Sequence, residues 1–237
     1  MSLENRVVVI TGATGGLGQV AAKKFADQGA RLTLISTSPQ KLRQLAGELA
    51  LPEDRIMTYA ADLGQDAVAQ DVLARILAKY GQADILLHLV GGWSGGKPVV
   101  EVETEQLNNM LQQHLWTSFY LVQAFLPVML SRQWGRILAV SSPFASNPVA
   151  NLAPYAIGKA ALEALMLTIA QEVKDTGVTA NMLLVKSIDT RHERQQQPTP
   201  QNASWTTPEE IYATLLHLCS EEAGQINGAR IPLYGNL

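Results

Sequence analysis

The chain has 237 residues, of which 47% are hydrophobic and 16% are charged. This composition is typical of a folded, soluble α/β domain and unlike that of disordered chains. The net charge of −3 gives no electrostatic reason to expect nucleic acid or an anionic membrane as a partner. The single cysteine, Cys219, excludes an internal disulfide and a thiolate cluster, and no metal site is expected.

The sequence shows no repeat and no compositional break, so we expect a single domain over residues 1–237. The N-terminus lacks the long apolar core of a signal peptide, and no stretch is expected to span a bilayer. A cytoplasmic location is the resulting expectation.

The first elements form a unit that is typical of dinucleotide binding. A β-branched strand is predicted over 6–11, a glycine-rich turn (TGATGGLG) over 11–18 and a helix over 19–28. Glycines let the backbone approach a pyrophosphate, and the N–H groups at the helix N-terminus attract its charge.

The second strand, predicted over 31–35, ends at Ser36, Thr37 and Ser38. In a dinucleotide fold this strand end meets the adenosine ribose, where an acidic residue favours NAD and repels the 2′-phosphate of NADP. Because hydroxyl groups stand there instead, we expect NADP(H) rather than NAD(H), although no arginine accompanies them. Ser38 could also cap the helix over 40–49.

The middle of the chain carries a glycine-rich segment after a buried strand. A third strand is predicted over 56–60, a helix over 68–80, a fourth strand over 84–90, and a long helix over 104–130 with a break near Trp116. The segment 91–96 (GGWSGG) follows the fourth strand at its carboxyl end, which is the ligand side of such sheets. We expect Trp93 to form a pocket wall and His88 to be a core residue.

A strand predicted over 137–140 precedes the chemically informative pattern. Ser142 follows the end of this strand, and Pro154 begins a helix that carries Tyr155 and Lys159. Residues four apart share a helix face, so we expect the Lys159 ammonium to lie near the Tyr155 phenol and to lower its pKa. Such a tyrosine can exchange a proton with a carbonyl or alcohol oxygen.

The pattern Ser142…Tyr155-Ala-Ile-Gly-Lys159 resembles the active site of short-chain dehydrogenases/reductases, and the T-G-x-x-x-G-x-G form of the glycine turn is similar to that of the same family. The resemblance covers essentially the whole chain. It implies that Tyr155 is the acid/base, that Lys159 lowers the tyrosine pKa and holds the nicotinamide ribose, and that Ser142 orients the substrate.

The resemblance also implies cofactor contacts along the chain. Asp62 would hydrogen-bond the adenine amine, although it could instead cap the next helix, and Thr190 would hydrogen-bond the carboxamide. The complete set of expected cofactor residues is Gly12, Thr14, Gly16, Leu17, Gly18, Ser36, Thr37, Ser38, Asp62, Leu63, Gly91, Lys159 and Thr190.

Three positions depart from the family pattern. His114 stands where the family has a relay asparagine, and its participation in catalysis is an open alternative. The sequence His-Leu-Val-Gly over 88–91 replaces Asn-Asn-Ala-Gly, and Val185-Lys186 replaces Pro-Gly. We interpret Lys186 as a solvated side chain.

The fold implied by the family is α/β, a Rossmann-type doubly wound parallel sheet of seven strands in the order 3-2-1-4-5-6-7. The last strands are predicted over 178–185 and 229–233, and a final helix begins at Pro208. The polar segment 191–207 is expected to be a substrate lid. In relatives the two long helices form a subunit interface, so a homodimer or homotetramer is expected.

The expected function is hydride transfer between NAD(P)(H) and a small carbonyl, alcohol or imine substrate. Trp93, Phe144 and Trp205 would offer flat surfaces to a planar conjugated substrate. The segments 91–96, 116–118, 189–190 and 204–206 are also similar to the dihydropteridine reductase branch, so quinonoid dihydropteridine reductase is one alternative. A catalytically weak NADP-binding sensor is another, because of the three departures.

Overall fold

A computed structural model describes residues 3–234. Seven parallel strands form a sheet in the order β3-β2-β1-β4-β5-β6-β7, which confirms the predicted fold class and strand order. The strands are β1 (Val7–Thr11), β2 (Arg31–Ser36), β3 (Ile56–Ala60), β4 (Ile85–His88), β5 (Gly135–Ser141), β6 (Val178–Leu184) and β7 (Arg230–Pro232).

Helices cover both faces of this sheet. Within the described residues they are α1 (Gly16–Asp27), α2 (Pro39–Leu49), α3 (Asp66–Tyr80), α4 (Thr104–Leu111), α5 (Thr117–Ser131), α6 (Ala153–Glu172), α7 (Glu193–Gln196) and α8 (Pro208–Leu218). In β1, Val7 and Val9 pack into the core under α3, α5 and α6, while Val8 and Ile10 pack under α1, α2 and α8. Because both faces are covered, the central strands consist of continuous apolar residues rather than alternating ones.

The long helix expected over 104–130 is divided, as predicted, near Trp116. A π-helical turn, Gln112–Trp116, lies between α4 and α5. The Thr117 hydroxyl donates to the Gln112 carbonyl at 2.8 Å and helps to close this wider turn. The turn carries His114, which is fully buried, toward α6.

Helix α6 is long and apolar enough to cross a membrane by length and composition, contrary to the expectation that no stretch would be. Half of its most apolar stretch is nevertheless buried in the fold, and it packs against α4 and β6. The helix also carries the buried charged residues Lys159 and Glu163. Its apolar character is therefore explained by its place in the core.

Candidate active site

In the glycine turn the backbone passes so close to neighbouring backbone atoms that a side chain would not fit. Gly12 has φ = +65°, and a Cβ there would lie 2.9 Å from the Leu89 carbonyl oxygen. A Cβ at Gly18 would lie 2.4 Å from the Gly12 carbonyl oxygen. Gly15 precedes α1 without a side-chain cap, so the N-terminal N–H groups of this helix can receive a phosphate. These features fit the pyrophosphate of a dinucleotide.

A cleft extends from the glycine turn in two directions along the carboxyl edge of the sheet. One cavity, of about 530 Å³, is lined by Thr14, Ser36, Thr37, Asp62 and Leu63, among others. A second, of about 430 Å³, is lined by Gly16, Leu17, Gly18, Trp93, Tyr155, Lys159 and Lys186, among others. The two cavities share Gly12, Gly15 and the segment 89–91. The cleft therefore connects the predicted adenosine site with the predicted catalytic residues.

The adenosine end decides between the two interpretations of Asp62. Gln65 is the residue at the N-cap of α3, so the capping alternative for Asp62 is wrong. The Asp62 carboxylate accepts a hydrogen bond from the Gly64 N–H at 3.0 Å and remains exposed at the cavity wall. Leu63 beside it is buried.

The hydroxyl groups at the end of β2 differ in their surroundings. Ser36 Oγ lies 2.6 Å from Thr14 Oγ1 at the wall of the cavity. Ser38 caps α2 by accepting a hydrogen bond from the Lys41 N–H at 3.3 Å, and it is not among the residues that line the cavity. The capping interpretation of Ser38 is therefore confirmed.

Thr190 lies against Gly16, at the end of the glycine turn where α1 begins. A Cβ at Gly16 would be 2.4 Å from the Thr190 methyl carbon, and the Thr190 side chain is exposed. The loop after β6 thus reaches the N-terminus of α1, and the contact of Thr190 with the carboxamide stays a prediction.

Tyr155 lies at the wall of the second cavity, but its ionisation differs from the expectation. Burial raises the pKa of Tyr155, and a hydrogen bond with the buried Ser142 lowers it only in part. The Lys159 Nζ donates to the Val140 carbonyl at 2.8 Å and lies 5.8 Å from the centre of the tyrosine ring. The predicted lowering of the Tyr155 pKa by Lys159 is therefore wrong for this arrangement, because burial dominates.

The pKa of Lys159 is also shifted by its surroundings. Burial lowers the pKa of Lys159 to about 8, and the nearby charge of Glu163 opposes this shift. Ser141 Oγ donates to Glu163 Oε1 at 2.6 Å, and the Arg230 guanidinium lies 2.6 Å from Glu163 Oε2. The sequence analysis missed Glu163, although its position four residues after Lys159 on the same helix was a usable signal.

Two buried histidines flank Lys159. His114 Nε2 lies 3.1 Å from the Gly92 carbonyl oxygen, and its ring meets that of Tyr155 edge-on, with 5.8 Å between centres. His88 Nδ1 lies 3.0 Å from Thr11 Oγ1, in the core position that was expected. Burial, with a further contribution from the charge of Lys159, lowers the pKa of each histidine to about 3. At neutral pH both rings are uncharged hydrogen-bonding groups.

The proposed substrate residues are only partly brought together. Trp93 is 67% exposed and lines the cavity that contains Tyr155. Phe144 is half-buried beside Ser142, and Trp205 is half-buried where the segment 191–207 ends, and neither is among the residues that line this cavity. Lys186, which we interpreted as a solvated residue, is exposed but lines the cavity.

The segment 191–207 is anchored at both ends. The Asp189 carboxylate accepts the N–H groups of Glu193 and Arg194 at 2.8 and 2.9 Å and starts the short helix α7. Arg194 donates to the Trp205 carbonyl at 2.7 Å and so ties the segment to itself. Its role as a substrate lid stays a prediction.

Comparison with known proteins was consistent with this geometry. A family profile described as short chain dehydrogenase matches residues 6–201. The chain is 30% identical over 191 residues to 2,3-dihydroxy-2,3-dihydro-p-cumate dehydrogenase of Pseudomonas putida, which is 80% of this chain and 73% of that protein. It is 28% identical over 253 positions to 1,6-dihydroxycyclohexa-2,4-diene-1-carboxylate dehydrogenase of Pseudomonas putida, covering 98% and 92%. A solved short chain dehydrogenase from Bacillus anthracis superimposes with a TM-score of 0.89 at 27% identity, covering 99% and 97%.

Proposed function

Since the chain belongs to the short-chain dehydrogenase/reductase family and is thus an NAD(P)-dependent oxidoreductase, we propose that Tyr155 is the acid/base for hydride transfer to or from a carbonyl, alcohol or imine carbon. The observation that carries this proposal is the cleft that joins the glycine turn to Tyr155 and Lys159. When bound, the nicotinamide supplies or accepts the hydride.

In the reductive direction, the side chains around the cavity deliver the proton. Because burial raises the pKa of Tyr155, its phenol is protonated at neutral pH and can donate to the substrate oxygen or nitrogen. Ser142, which interacts with the phenol, orients that heteroatom. The Lys159 ammonium, on the same helix face, holds the ribose.

We propose NADP(H) as the preferred cofactor. Ser36 and Thr37 line the adenosine end, and the end of β2 carries these hydroxyl groups in place of an acidic residue. Lys41 on the first turn of α2 lines an adjoining cavity together with Thr14. Replacing Ser36 by Asp would place a negative charge near the 2′-phosphate, so Ser36→Asp should shift the kcat/KM ratio toward NAD by about tenfold. A wild-type kcat/KM that is higher with NADH than with NADPH would contradict this preference.

For the substrate we propose a small, flat molecule held against Trp93. The exposed indole supports this, because stacking on an aromatic face adds about 0.5–1.5 kcal/mol beyond the burial of area. Two relatives are named for dihydroxylated ring compounds, which supports including alcohols among the candidate substrates. Quinonoid dihydropterin, which is also planar, remains the alternative for the reductive direction.

The test is a substrate panel measured with both cofactors. Carbonyl compounds, enones and quinonoid dihydropterin would be assayed with NADPH and NADH, and ring dihydrodiols with NADP⁺ and NAD⁺. Trp93→Ala should reduce kcat/KM for a flat substrate about tenfold and change that for a small ketone little. Binding of NADPH without turnover in either direction would favour the sensor alternative.

We also propose that the protein is a homodimer or homotetramer. Trp116 at the end of the π-helical turn, Phe119 on α5, and Ile157 and Leu167 on α6 are exposed apolar residues. The Trp116 ring stacks on Tyr120 with 5.9 Å between centres, so the exposed aromatic surface is continuous. A surface of this kind is typical of a contact between proteins.

A further inference from the structure

Lys186 places a positive charge at the wall of the cavity that contains Tyr155, and among the described residues this charge has no partner. It follows β6 by two residues and lines the cavity together with Tyr155 and Trp93. Its ammonium makes no hydrogen bond or ion pair with any other residue in the range 3–234. A cation at the wall of a cleft, rather than on the outer surface, is available to a bound molecule.

The charged side chains that the structure describes at the wall of this cavity are positive. Among the described residues that line it, Lys159 and Lys186 are cationic, and none is an aspartate or a glutamate. Lys159 is buried, donates to the Val140 carbonyl at 2.8 Å and lies near Glu163. Of these two cations, Lys186 is therefore the one whose ammonium has no hydrogen bond or ion pair within residues 3–234.

The backbone on both sides of Lys186 is fixed. The Val185 N–H donates to the Ser141 carbonyl at 3.0 Å, and the Thr206 N–H donates to the Ser187 carbonyl at 3.0 Å. The first of these bonds ties the segment to β5, the strand that precedes Ser142. The backbone at Lys186 is thus fixed relative to β5, so ligand binding has to order the lysine side chain but not the loop that carries it.

The phosphates of the cofactor have other positions in the cleft. The uncapped N-terminus of α1, at Gly15 and Gly16, suits the pyrophosphate. The 2′-phosphate belongs at Ser36, in the cavity toward β2, which Lys186 does not line. The charge of Lys186 is then left for the second reactant.

We propose that Lys186 binds a carboxylate of the substrate and thereby selects carboxylated carbonyl or alcohol compounds. The inference rests on the proposed function of the same cavity. The reacting oxygen would lie at Tyr155, the flat part of the molecule against Trp93, and the carboxylate at the Lys186 ammonium. A charge-assisted hydrogen bond of this kind selects a carboxylate over an uncharged amide of the same shape.

The experiment measures binding and does not require turnover. Dissociation constants of 4-formylbenzoate and of the isosteric 4-formylbenzamide would be measured by calorimetry on the enzyme saturated with NADP⁺. The variants are Lys186→Met, which removes the charge, and Lys186→Arg, which keeps it. Lys174→Met is the matched control. Lys174 is exposed beyond the end of α6, so its replacement removes one positive charge at a place away from the cavity.

The wild type, Lys186→Arg and Lys174→Met should bind the carboxylate about tenfold or more tightly than the amide. Lys186→Met should abolish this preference while the dissociation constant of NADP⁺ stays within about twofold. Equal affinities in the wild type, no binding of the carboxylate, or a preference that persists in Lys186→Met would overturn the proposal. If Lys186→Met weakened NADP⁺ binding as much as it weakened carboxylate binding, Lys186 would be assigned to the cofactor and the proposal would be overturned. Failure to bind NADP⁺ at all would contradict the proposed function itself.

Discussion

At the scale of single residues, the helix α6 presents Tyr155, Lys159 and Glu163 at intervals of four. Lys159 and Glu163 are also held by successive residues of β5, because Lys159 donates to the Val140 carbonyl and Ser141 donates to Glu163. Arg230 of β7 pairs with the same carboxylate. The negative charge of Glu163 thus stabilises the protonated form of a buried lysine.

This arrangement predicts the pH dependence of the enzyme. Removing the charge by Glu163→Gln should lower the pKa of Lys159 further below its present value of about 8. In the proposed mechanism the protonated Lys159 holds the ribose, so activity should fall as pH rises through this pKa. The fall should begin at lower pH in the variant. The kcat/KM for the cofactor, measured against pH, reports the groups of the free enzyme.

Glu172→Gln, at the exposed end of the same helix, is the matched control and should leave the alkaline limb in place. If Glu163→Gln lowered the rate without moving that limb, Glu163 would have only a structural role.

The sequence predicted that Tyr155 and Lys159 share a helix face, because they are four residues apart, and that the glycine turn follows a strand. Their proposed roles came from the resemblance to the family, not from the spacing. The sequence predicted the wrong direction for the Tyr155 pKa shift, since that direction depends on how deeply the phenol is buried. The position of Lys186 in the cavity likewise depends on the path of the loop after β6, and no spacing rule specifies that path.

At the scale of elements, the parallel strands were predictable because strands buried on both faces consist of continuous apolar runs. β3 was predicted at 56–60 and is found there, and β1 and β2 differ from prediction by one residue at one end. The π-helical turn at Gln112–Trp116 was not predictable in kind, because it depends on the packing of His114 against α6. A Cβ at Gly158 would lie 3.0 Å from His114 Cδ2, so a side chain there would push His114 away from α6 by a few tenths of an ångström.

The proposed subunit interface belongs to the elements α5 and α6. Phe119→Glu would place a charge in the centre of the exposed aromatic surface, and burying an unpaired charge is costly. We expect the variant to sediment as a smaller species, with a subunit dissociation constant raised by about a hundredfold or more. Analytical ultracentrifugation over a range of concentrations measures this.

Gln40→Glu on α2, a helix on the opposite face of the sheet, adds the same charge and should leave the sedimentation unchanged. An unaltered assembly in Phe119→Glu would place the interface elsewhere.

At the scale of the whole molecule, the two buried histidines link folding to acid. Folded His88 and His114 have a pKa of about 3, whereas an unfolded histidine has its ordinary value of about 6.5. Between these values the unfolded chain binds more protons, so the free energy of unfolding decreases as pH falls. Each histidine contributes a slope of about 1.4 kcal/mol per pH unit.

His114→Asn should therefore reduce the slope of the unfolding free energy against pH by about 1.4 kcal/mol per unit between pH 6 and 4. Urea titrations at several pH values measure this slope independently of any loss of stability at neutral pH. The exposed His217 of α8 provides the control variant His217→Asn. An identical slope in the wild type and in His114→Asn would show that His114 does not remain neutral in the folded protein.

The proposed function requires that a single tyrosine, Tyr155, serves as the acid of a nicotinamide-dependent reaction. The most direct test is Tyr155→Phe, measured with the best substrate of the panel and with NADPH. The variant should bind NADPH with an affinity close to that of the wild type, while turnover falls by about a hundredfold to ten-thousandfold, as expected for the loss of a general acid. Full reductase activity in Tyr155→Phe would show that the proton comes from another group.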